Sequence, residues 1–352
     1  PYRRTMSVKG DAVNLAARLM GKAATGEVLA AVQVVARART PFAAQSLPPF
    51  TVKGKTQLIY ACRVGPVRAT ADDDGDSTAV FVGRSAELAR LQEHWQIACA
   101  GHLEVHELVG EPGVGKSRLV GELLSDVAGR VLEVRADRYT STSAYASLRR
   151  LLREVLAVPA GGDPPTAGRR LLVVLLQAAP ELLPFAPLVA AVLDAEVPAT
   201  PESSAVDERF RAQRQEEVVA DLLVRLLPDP AVVVVDDAHL LDPASVSLLR
   251  RLIVRAASAP WLLLVCRREE TQVLPLEGVA GVTTTLLAPL DGSASLELVR
   301  ALTEAAPLPP HDVAVLLRRA AGNPLFLGEL AAAAASGSRV HDLPDNVELV
   351  VA

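Results

Sequence analysis

The stretch Gly110-Glu111-Pro112-Gly113-Val114-Gly115-Lys116-Ser117 fills every fixed position of the pattern G-x-x-x-x-G-K-[ST]. In such a loop the glycines let backbone N–H groups turn toward an anion, and the helix that follows adds the positive end of its dipole. Lys116 is placed to reach the β- and γ-phosphates, and the Ser117 hydroxyl is a ligand for Mg²⁺. The stretch therefore predicts that the chain binds a nucleoside triphosphate together with Mg²⁺.

The residues on either side of this loop predict the setting that it needs. Residues 103–109 alternate enough apolar side chains to form a strand, and residues 118–124 place apolar side chains at helical spacing. A chance glycine turn would not be expected between a strand and a helix. We therefore assign the nucleotide contacts to all eight loop residues and to Arg118, which follows them.

Composition excludes several classes of protein. The chain has 352 residues, half of them hydrophobic, which is enough for two or three domains with cores of their own. Its formal charge of −5 shows no excess of positive charge of the kind that direct contact with nucleic acid requires. The three cysteines are widely spaced and predict neither a disulfide framework nor a zinc site, which fits a reducing cytoplasm. Charges and prolines interrupt the most apolar stretch, residues 171–195, so no membrane contact is expected.

Two apolar runs, residues 231–235 and 261–265, have the pattern of parallel strands that are covered on both faces. Strands that alternate with helices after a phosphate loop predict a doubly wound α/β sheet, with the ligand at the carboxyl ends of the strands. Asp236 and Asp237 end the first run, where an acidic group would face the loop. Asp236 is the candidate Mg²⁺ ligand and the pair is the candidate catalytic group.

The residue pattern alone leaves open which of these two carboxylates would orient the Mg²⁺ shell and which would position or deprotonate a water. It also leaves open a structural role, in which the acidic pair caps the next helix as Asp242 is expected to do. Arg267 ends the second run and is a candidate contact for the γ-phosphate.

From residue 80 onward the chain resembles the ATPases of the signal-transduction NTPase (STAND) class, which are related to AAA+ proteins and occur in large bacterial regulators. Three segments support the resemblance: the opening F-V-G-R-x-x-E-L at residues 81–88, the acidic-pair, His and Asp signature at 234–242, and G-N-P at 322–324. The resemblance implies ATP as the nucleotide and a helical lid in which Pro324 packs near the base. It also implies a further domain that begins near residue 343.

The first part of the chain has a different signal. Asn14 and Arg18 lie four residues apart on a predicted amphipathic helix, a spacing that also suits an ordinary exposed helix face. Residues 10–20 resemble the carboxyl-terminal half of class III adenylate/guanylate cyclases, and residues 50–55 resemble the closing K-G strand of that family. The resemblance implies that Asn14 orients a ribose, that Arg18 stabilises the transition state and that Lys53 contacts the polyphosphate. It also implies a homodimer through this half in the full-length protein.

We therefore expect a bacterial cyclase–ATPase fusion of which this chain is a fragment. Residues 1–64 would be the cyclase half, 65–79 an acidic linker, 80–285 the P-loop ATPase core, and 286–352 the lid and the start of a following domain. Mg-ATP binding and slow hydrolysis would act as a switch, with cyclic nucleotide made only by the full-length protein. The alternatives are a transcriptional regulator of the same ATPase class and a nucleotide-binding scaffold that barely hydrolyses.

Overall fold

The computed structural model describes residues 11–24, 27–36, 42–48, 50, 59–67, 80–136, 143–159, 161–269 and 282–335. The chain divides into two compact units, Pro1–Thr78 and Ala79–Ala352. Most of the expected acidic linker and the expected start of a further domain lie outside the described residues, as does Lys53.

The described part of the first unit contains a small antiparallel sheet and two helices. Its three strands occur in the order β1-β3-β2, with Ala31 opposite Ala61 and Ser46 opposite Cys62. The strand β3 continues to Val67, so the first three residues of the expected linker belong to the sheet. The described elements are α1 (Asp11–Met20), β1 (Val28–Ala31), α2 (Val32–Ala36), β2 (Phe42–Ser46) and β3 (Ala61–Val67).

The second unit is built on a five-stranded sheet in which every neighbouring pair is parallel. The strand before the phosphate loop lies between the strand that ends in Arg267 and the last strand, and the strand that ends in Asp236 lies one further away. The α/β prediction is confirmed for this unit. The strands are β4 (Glu104–Val109), β5 (Arg130–Arg135), β6 (Ala231–Asp236), β7 (Trp261–Arg267) and β8 (Val282–Leu286), in the order β5-β6-β7-β4-β8.

Helices cover both faces of this sheet, as the unbroken apolar strands require. Leu108 and Leu264 pack on the face covered by α3 and α4, whereas Val105 and Val265 pack on the other face against the helices from α5 to α10. The last three helices of the described chain form a separate core. The helices are α3 (Ser85–Cys99), α4 (Lys116–Ser125), α5 (Ala146–Val155), α6 (Pro164–Ala178), α7 (Ala186–Leu193), α8 (Pro201–Ser204), α9 (Glu208–Leu226), α10 (Pro243–Arg255), α11 (Gly292–Leu302), α12 (Pro310–Ala320) and α13 (Pro324–Ala335).

The apolar stretch 171–195 forms parts of three consecutive elements. It forms the greater part of α6, a 3-10 turn over Pro180–Phe185, and α7, because the prolines break the run into short pieces. No helix in the described part of the chain combines the length and the apolar character that a bilayer span requires.

His106 has a structural role in the sheet. Its Nε2 atom lies 2.9 Å from the Thr285 hydroxyl, so it joins β4 to β8, and its ring packs edge-on against His94. Burial lowers the pKa of His106 to about 4, with smaller contributions from His94 and Arg90. The ring is therefore neutral at physiological pH and acts as a packed, hydrogen-bonded core group.

Candidate nucleotide-binding site

The phosphate loop leaves β4 at Val109 and enters α4 at Lys116, at the carboxyl edge of the sheet. Gly113 and Gly115 have φ angles of +76° and +100°, a region that favours glycine. A Cβ atom on Gly113 would lie 2.8 Å from Asn323 Oδ1, and one on Gly110 would lie 2.9 Å from the Leu287 carbonyl oxygen. Glycine is therefore needed at Gly113 for both backbone conformation and space, at Gly115 for conformation, and at Gly110 for space.

Lys116, the first residue of α4, folds over the loop that precedes it. Its ammonium donates hydrogen bonds to the carbonyl oxygens of Gly110 (2.8 Å) and Glu111 (3.0 Å). Burial lowers the pKa of Lys116, an effect to which Arg268 adds, whereas Asp236 and Asp237 act to raise it. These charges show that the lysine, the acidic pair and Arg268 share one electrostatic environment.

Ser117 and Asp236 come together although they are far apart in sequence. The Ser117 hydroxyl lies 3.4 Å from Oδ2 of Asp236, the last residue of β6. Burial raises the pKa of Asp236, and the neighbouring Asp237 adds to the rise. A hydroxyl and a carboxylate beside a glycine-rich loop are the oxygen ligands that Mg²⁺ prefers, so these residues fit a magnesium nucleotide.

The sequence left open which role each of the two aspartates has, and in the structure their surroundings differ. Asp237 has a left-handed backbone conformation, with φ of +47°, and its side chain is 53 % exposed. It lies 3.7 Å from Nδ1 of His239. Asp237 precedes a 3-10 turn over Ala238–Leu240 but makes no capping hydrogen bond to it with its side chain. The cap of α10 is Asp242, whose carboxylate accepts from the Ser245 amide and hydroxyl.

The guanidinium of Arg267 is held by a carboxylate within the sheet. Nε and Nη2 of Arg267 lie 3.2 and 3.3 Å from the two carboxylate oxygens of Glu107. Glu107 also accepts from the Thr284 hydroxyl at 3.1 Å. From the sequence, Arg267 is predicted to contact the γ-phosphate, whereas in the structure its guanidinium is paired with Glu107. The Arg267 backbone does lie at the loop, since its carbonyl oxygen accepts from the Gly110 amide at 3.3 Å.

The helices α11 to α13 share one core, and we refer to them as the lid; the G-N-P segment at the start of α13 contacts the phosphate loop. Asn323 Nδ2 donates to the Pro112 carbonyl oxygen at 2.9 Å, and the Leu325 amide donates to that of Gly113 at 3.2 Å. Asn323 Oδ1 in turn accepts from the Phe326 amide in the first turn of α13. Pro324 follows, and its Cγ would lie 3.8 Å from a Cβ on Gly115.

Arg84 lies just before α3 and contacts both the phosphate loop and the segment that follows β8. It is 6 % exposed, and its Nη2 donates to the carbonyl oxygens of Val114 (3.0 Å) and Ala288 (2.6 Å). Just before it, Gly83 packs against the lid, because a Cβ there would lie 2.4 Å from Cβ of Ala294. The guanidinium therefore fixes the loop to the start of α3 and to the connection between β8 and the lid.

The candidate residues of the first unit are only partly described. Asn14 and Arg18 both belong to α1, one helical turn apart. Nη1 of Arg18 is buried and makes no hydrogen bond within the described structure. Arg118, in the second unit, forms an i,i+4 ion pair with Glu122 and stacks on the Phe81 ring at 5.5 Å.

Three residues of the second-unit site were not assigned a role from the sequence: Glu107, Arg84 and Asn323. The sequence does contain a signal for Glu107, since it is a charged residue near the end of the predicted strand that leads into the loop. Arg84 and Asn323 stood within the quoted motifs, but their hydrogen bonds go to loop carbonyl oxygens that no local pattern identifies.

A family model described as an AAA ATPase domain matches residues 80–265, more than half of the chain. An uncharacterized protein of Rhizobium meliloti (strain 1021) is 25 % identical over 338 residues, which cover 92 % of this chain and 32 % of that protein. The chain therefore spans about a third of the length of this curated relative.

Two solved structures are also similar. The Walker-type ATPase of Pyrococcus abyssi has 15 % identity and a TM-score of 0.40, covering 74 % of this chain and 69 % of that one. A RuvB variant of Thermotoga maritima has 14 % identity and a TM-score of 0.42, covering 77 % and 68 %.

Proposed function

The chain belongs to the family of AAA ATPase domains, and from this premise we propose that residues 80–335 bind Mg-ATP, hydrolyse it slowly and report the state of the nucleotide through the lid. The observation that supports this most directly is the meeting of Ser117 and Asp236, 3.4 Å apart, beside Lys116 at the mouth of the loop. These groups come from one helix, α4, and one strand, β6, and a phosphate site needs all of them at one edge of the sheet.

The residues of this site have separable tasks. The loop amides and Lys116 bind and orient the phosphates, and Ser117 and Asp236 hold the metal. Bound Mg²⁺ would supply charge neutralisation at the phosphoryl oxygens. Asp237, exposed and next to His239, orients the attacking water and accepts its proton. Hydrolysis is slow in this proposal because Asp237, the group that accepts the proton, is exposed to solvent.

The lid is coupled to this chemistry through the loop itself. Pro112 and Gly113 use their carbonyl oxygens to hold the lid, while the same loop uses its amides for phosphate. Any adjustment of the loop on binding or release of a phosphate therefore changes two hydrogen bonds to the lid. This arrangement is a two-state element that nucleotide can bias, as a switch requires.

Replacing Asn323 tests this coupling. We expect Asn323→Ala to speed hydrogen exchange at the α13 amides about fivefold without nucleotide, because the bond to Pro112 and the cap of Phe326 are both lost. Mg-ATP should slow exchange in the wild-type α13 and do so less in the variant. Glu297→Ala, on the exposed face of α11, is the matched control and should leave the exchange unchanged. Equal exchange in Asn323→Ala and wild type, or an α13 that does not respond to ATP, would contradict the coupling.

We also propose that the first unit is the carboxyl-terminal half of a class III cyclase domain that dimerises in the full-length protein. The placement of Asn14 and Arg18 on one helix, with a buried Arg18 nitrogen that lacks a partner in the described structure, supports this reading. The ATPase and the cyclase would then form one signalling protein, with the transcriptional regulator as the alternative.

The cyclase proposal is tested in the full-length protein. Arg18→Ala should lower the formation of cyclic AMP or cyclic GMP at least about 100-fold, since it removes a charge that stabilises the transition state. Lys22→Ala, in the same unit, should retain activity. The 352-residue chain alone should make no cyclic nucleotide. Full activity in Arg18→Ala, or synthesis by this chain alone, would show that the assignment is wrong.

A further inference from the structure

Glu107 is an unexpected residue in the strand that leads into the phosphate loop. It lies on β4, in register with Val265 of β7 and Thr284 of β8, and its side chain is 8 % exposed. A buried carboxylate is costly unless it is paired and hydrogen-bonded. A Glu at this position therefore needs a compensating role.

Its partners come from the two flanking strands. Arg267, two residues beyond Val265 on β7, reaches back so that two of its nitrogens face the two carboxylate oxygens at 3.2 and 3.3 Å. The Thr284 hydroxyl donates a third bond to the carboxylate at 3.1 Å. The Arg267 side chain is 13 % exposed, so both charges are largely removed from water. A two-point pair of this kind holds the planar guanidinium in one orientation.

This held cation is adjacent to the nucleotide site. The Arg267 carbonyl oxygen accepts from the amide of Gly110, the first residue of the loop, and β7 lies between β4 and β6, which ends in Asp236. A guanidinium makes the same two-point contact with a phosphate as with a carboxylate. Glu107 and a terminal phosphate are therefore competing anions for one arginine.

We propose that Glu107 is a positioning residue that withholds Arg267 from the phosphate loop until a γ-phosphate competes for it, and so sets the preference of the site for ATP over ADP. The inference rests on the proposed function, since it requires that nucleotide binds at this loop. ADP lacks the competing group and leaves the pair intact. ATP binding must break the Glu107–Arg267 pair before the γ-phosphate can bind Arg267. The loss of the Glu107 contacts therefore offsets part of the affinity that ATP has over ADP.

The next residue offers a different assignment that the test must separate. Arg268 follows the end of β7, and its charge contributes to the lowered pKa of Lys116. Arg267 is the last residue of β7, so Arg268 lies just beyond the strand. If Arg268 alone serves the γ-phosphate, Glu107 has only a structural role.

The test is a calorimetric double-mutant cycle with Mg-ATP and Mg-ADP as probes. We expect Glu107→Gln to raise the ratio of ATP to ADP affinity about tenfold, with ADP affinity unchanged within about twofold. Arg267→Gln should lower the ratio, and adding Glu107→Gln to it should have no further effect. Glu107→Asp, which keeps the charge but is too short for both contacts, should shift the ratio in the same direction by about threefold. If a melting curve without nucleotide shows that Glu107→Gln fails to fold, the Glu107→Asp variant still tests the inference.

Three results would overturn the inference. If the affinities for ATP and ADP change equally, Glu107 has a structural role. If the ratio of ATP to ADP affinity is unchanged in both Glu107 variants, Glu107 does not compete with the γ-phosphate for Arg267. A ratio that falls in Arg268→Gln, measured in the same way, and not in Arg267→Gln would transfer the γ-phosphate contact to Arg268. A folded wild-type chain that binds neither nucleotide would contradict the proposed function itself and is therefore distinguishable from these three.

Discussion

Lys116→Ala is expected to lower the affinity of the chain for ATP by about 100-fold, while the fold is retained. The ammonium is the one lysine cation of the loop, and in the structure it is bonded only to the carbonyl oxygens of Gly110 and Glu111 among the described residues. Glu111 is exposed, so water can replace the lysine at its carbonyl group. The loss therefore falls on phosphate binding rather than on stability. Calorimetric titration with ATP measures the affinity, and thermal melting without nucleotide checks the fold.

Lys22→Ala provides the matched control, since Lys22 lies in the first unit over the Phe50 ring. It should bind ATP as the wild type does. Wild-type affinity in Lys116→Ala would mean that the loop does not hold the β- and γ-phosphates, and the assignment of residues 110–117 would then be wrong.

Asp236→Asn and Asp237→Asn are expected to separate metal binding from water activation. Asp236 lies beside Ser117, so its loss should remove the dependence of ATP binding on Mg²⁺ and lower hydrolysis at least about 100-fold. Asp237 is exposed and has no contact with Ser117 among its hydrogen bonds, so Asp237→Asn should keep Mg-ATP affinity within about threefold and lose hydrolysis to a similar extent. Single-turnover release of labelled phosphate and calorimetry supply the two readouts.

Asp126→Asn, an exposed carboxylate at the end of α4, is the control for this pair and should behave as the wild type. The reverse pattern, with Mg²⁺ dependence lost in Asp237→Asn and kept in Asp236→Asn, would exchange the two roles. Unchanged turnover in both variants would instead favour a nucleotide-binding scaffold that barely hydrolyses.

Local pattern was enough to predict the elements that hold the site. The strand before the loop, the helix after it and the strand that ends in Asp236 were all predicted from apolar periodicity, and the structure confirms them as β4, α4 and β6. Such signals are strong because a strand covered on both faces admits few polar residues. The cap of α10 by Asp242 was predicted for a similar reason, since the cap lies within one turn of its partners.

The contacts between distant segments could not be predicted in this way. Arg267 was assigned to the γ-phosphate because it ends a strand, but its orientation depends on Glu107, which is 160 residues away in the chain. Asn323 reaches Pro112 across 211 residues, and Arg84 reaches Ala288 across 204. These bonds are set by strand order and by the docking of the lid, which a single sequence does not reveal.

The central claim is that residues 80–335 form a magnesium-dependent ATP site. Its most direct test is a calorimetric titration of the folded chain with ATP, with and without Mg²⁺. The account predicts saturable binding of one ATP per chain, tightened at least about tenfold by Mg²⁺ because Ser117 and Asp236 then hold the metal. A folded chain that binds no ATP, or binds it equally well with and without Mg²⁺, would contradict it.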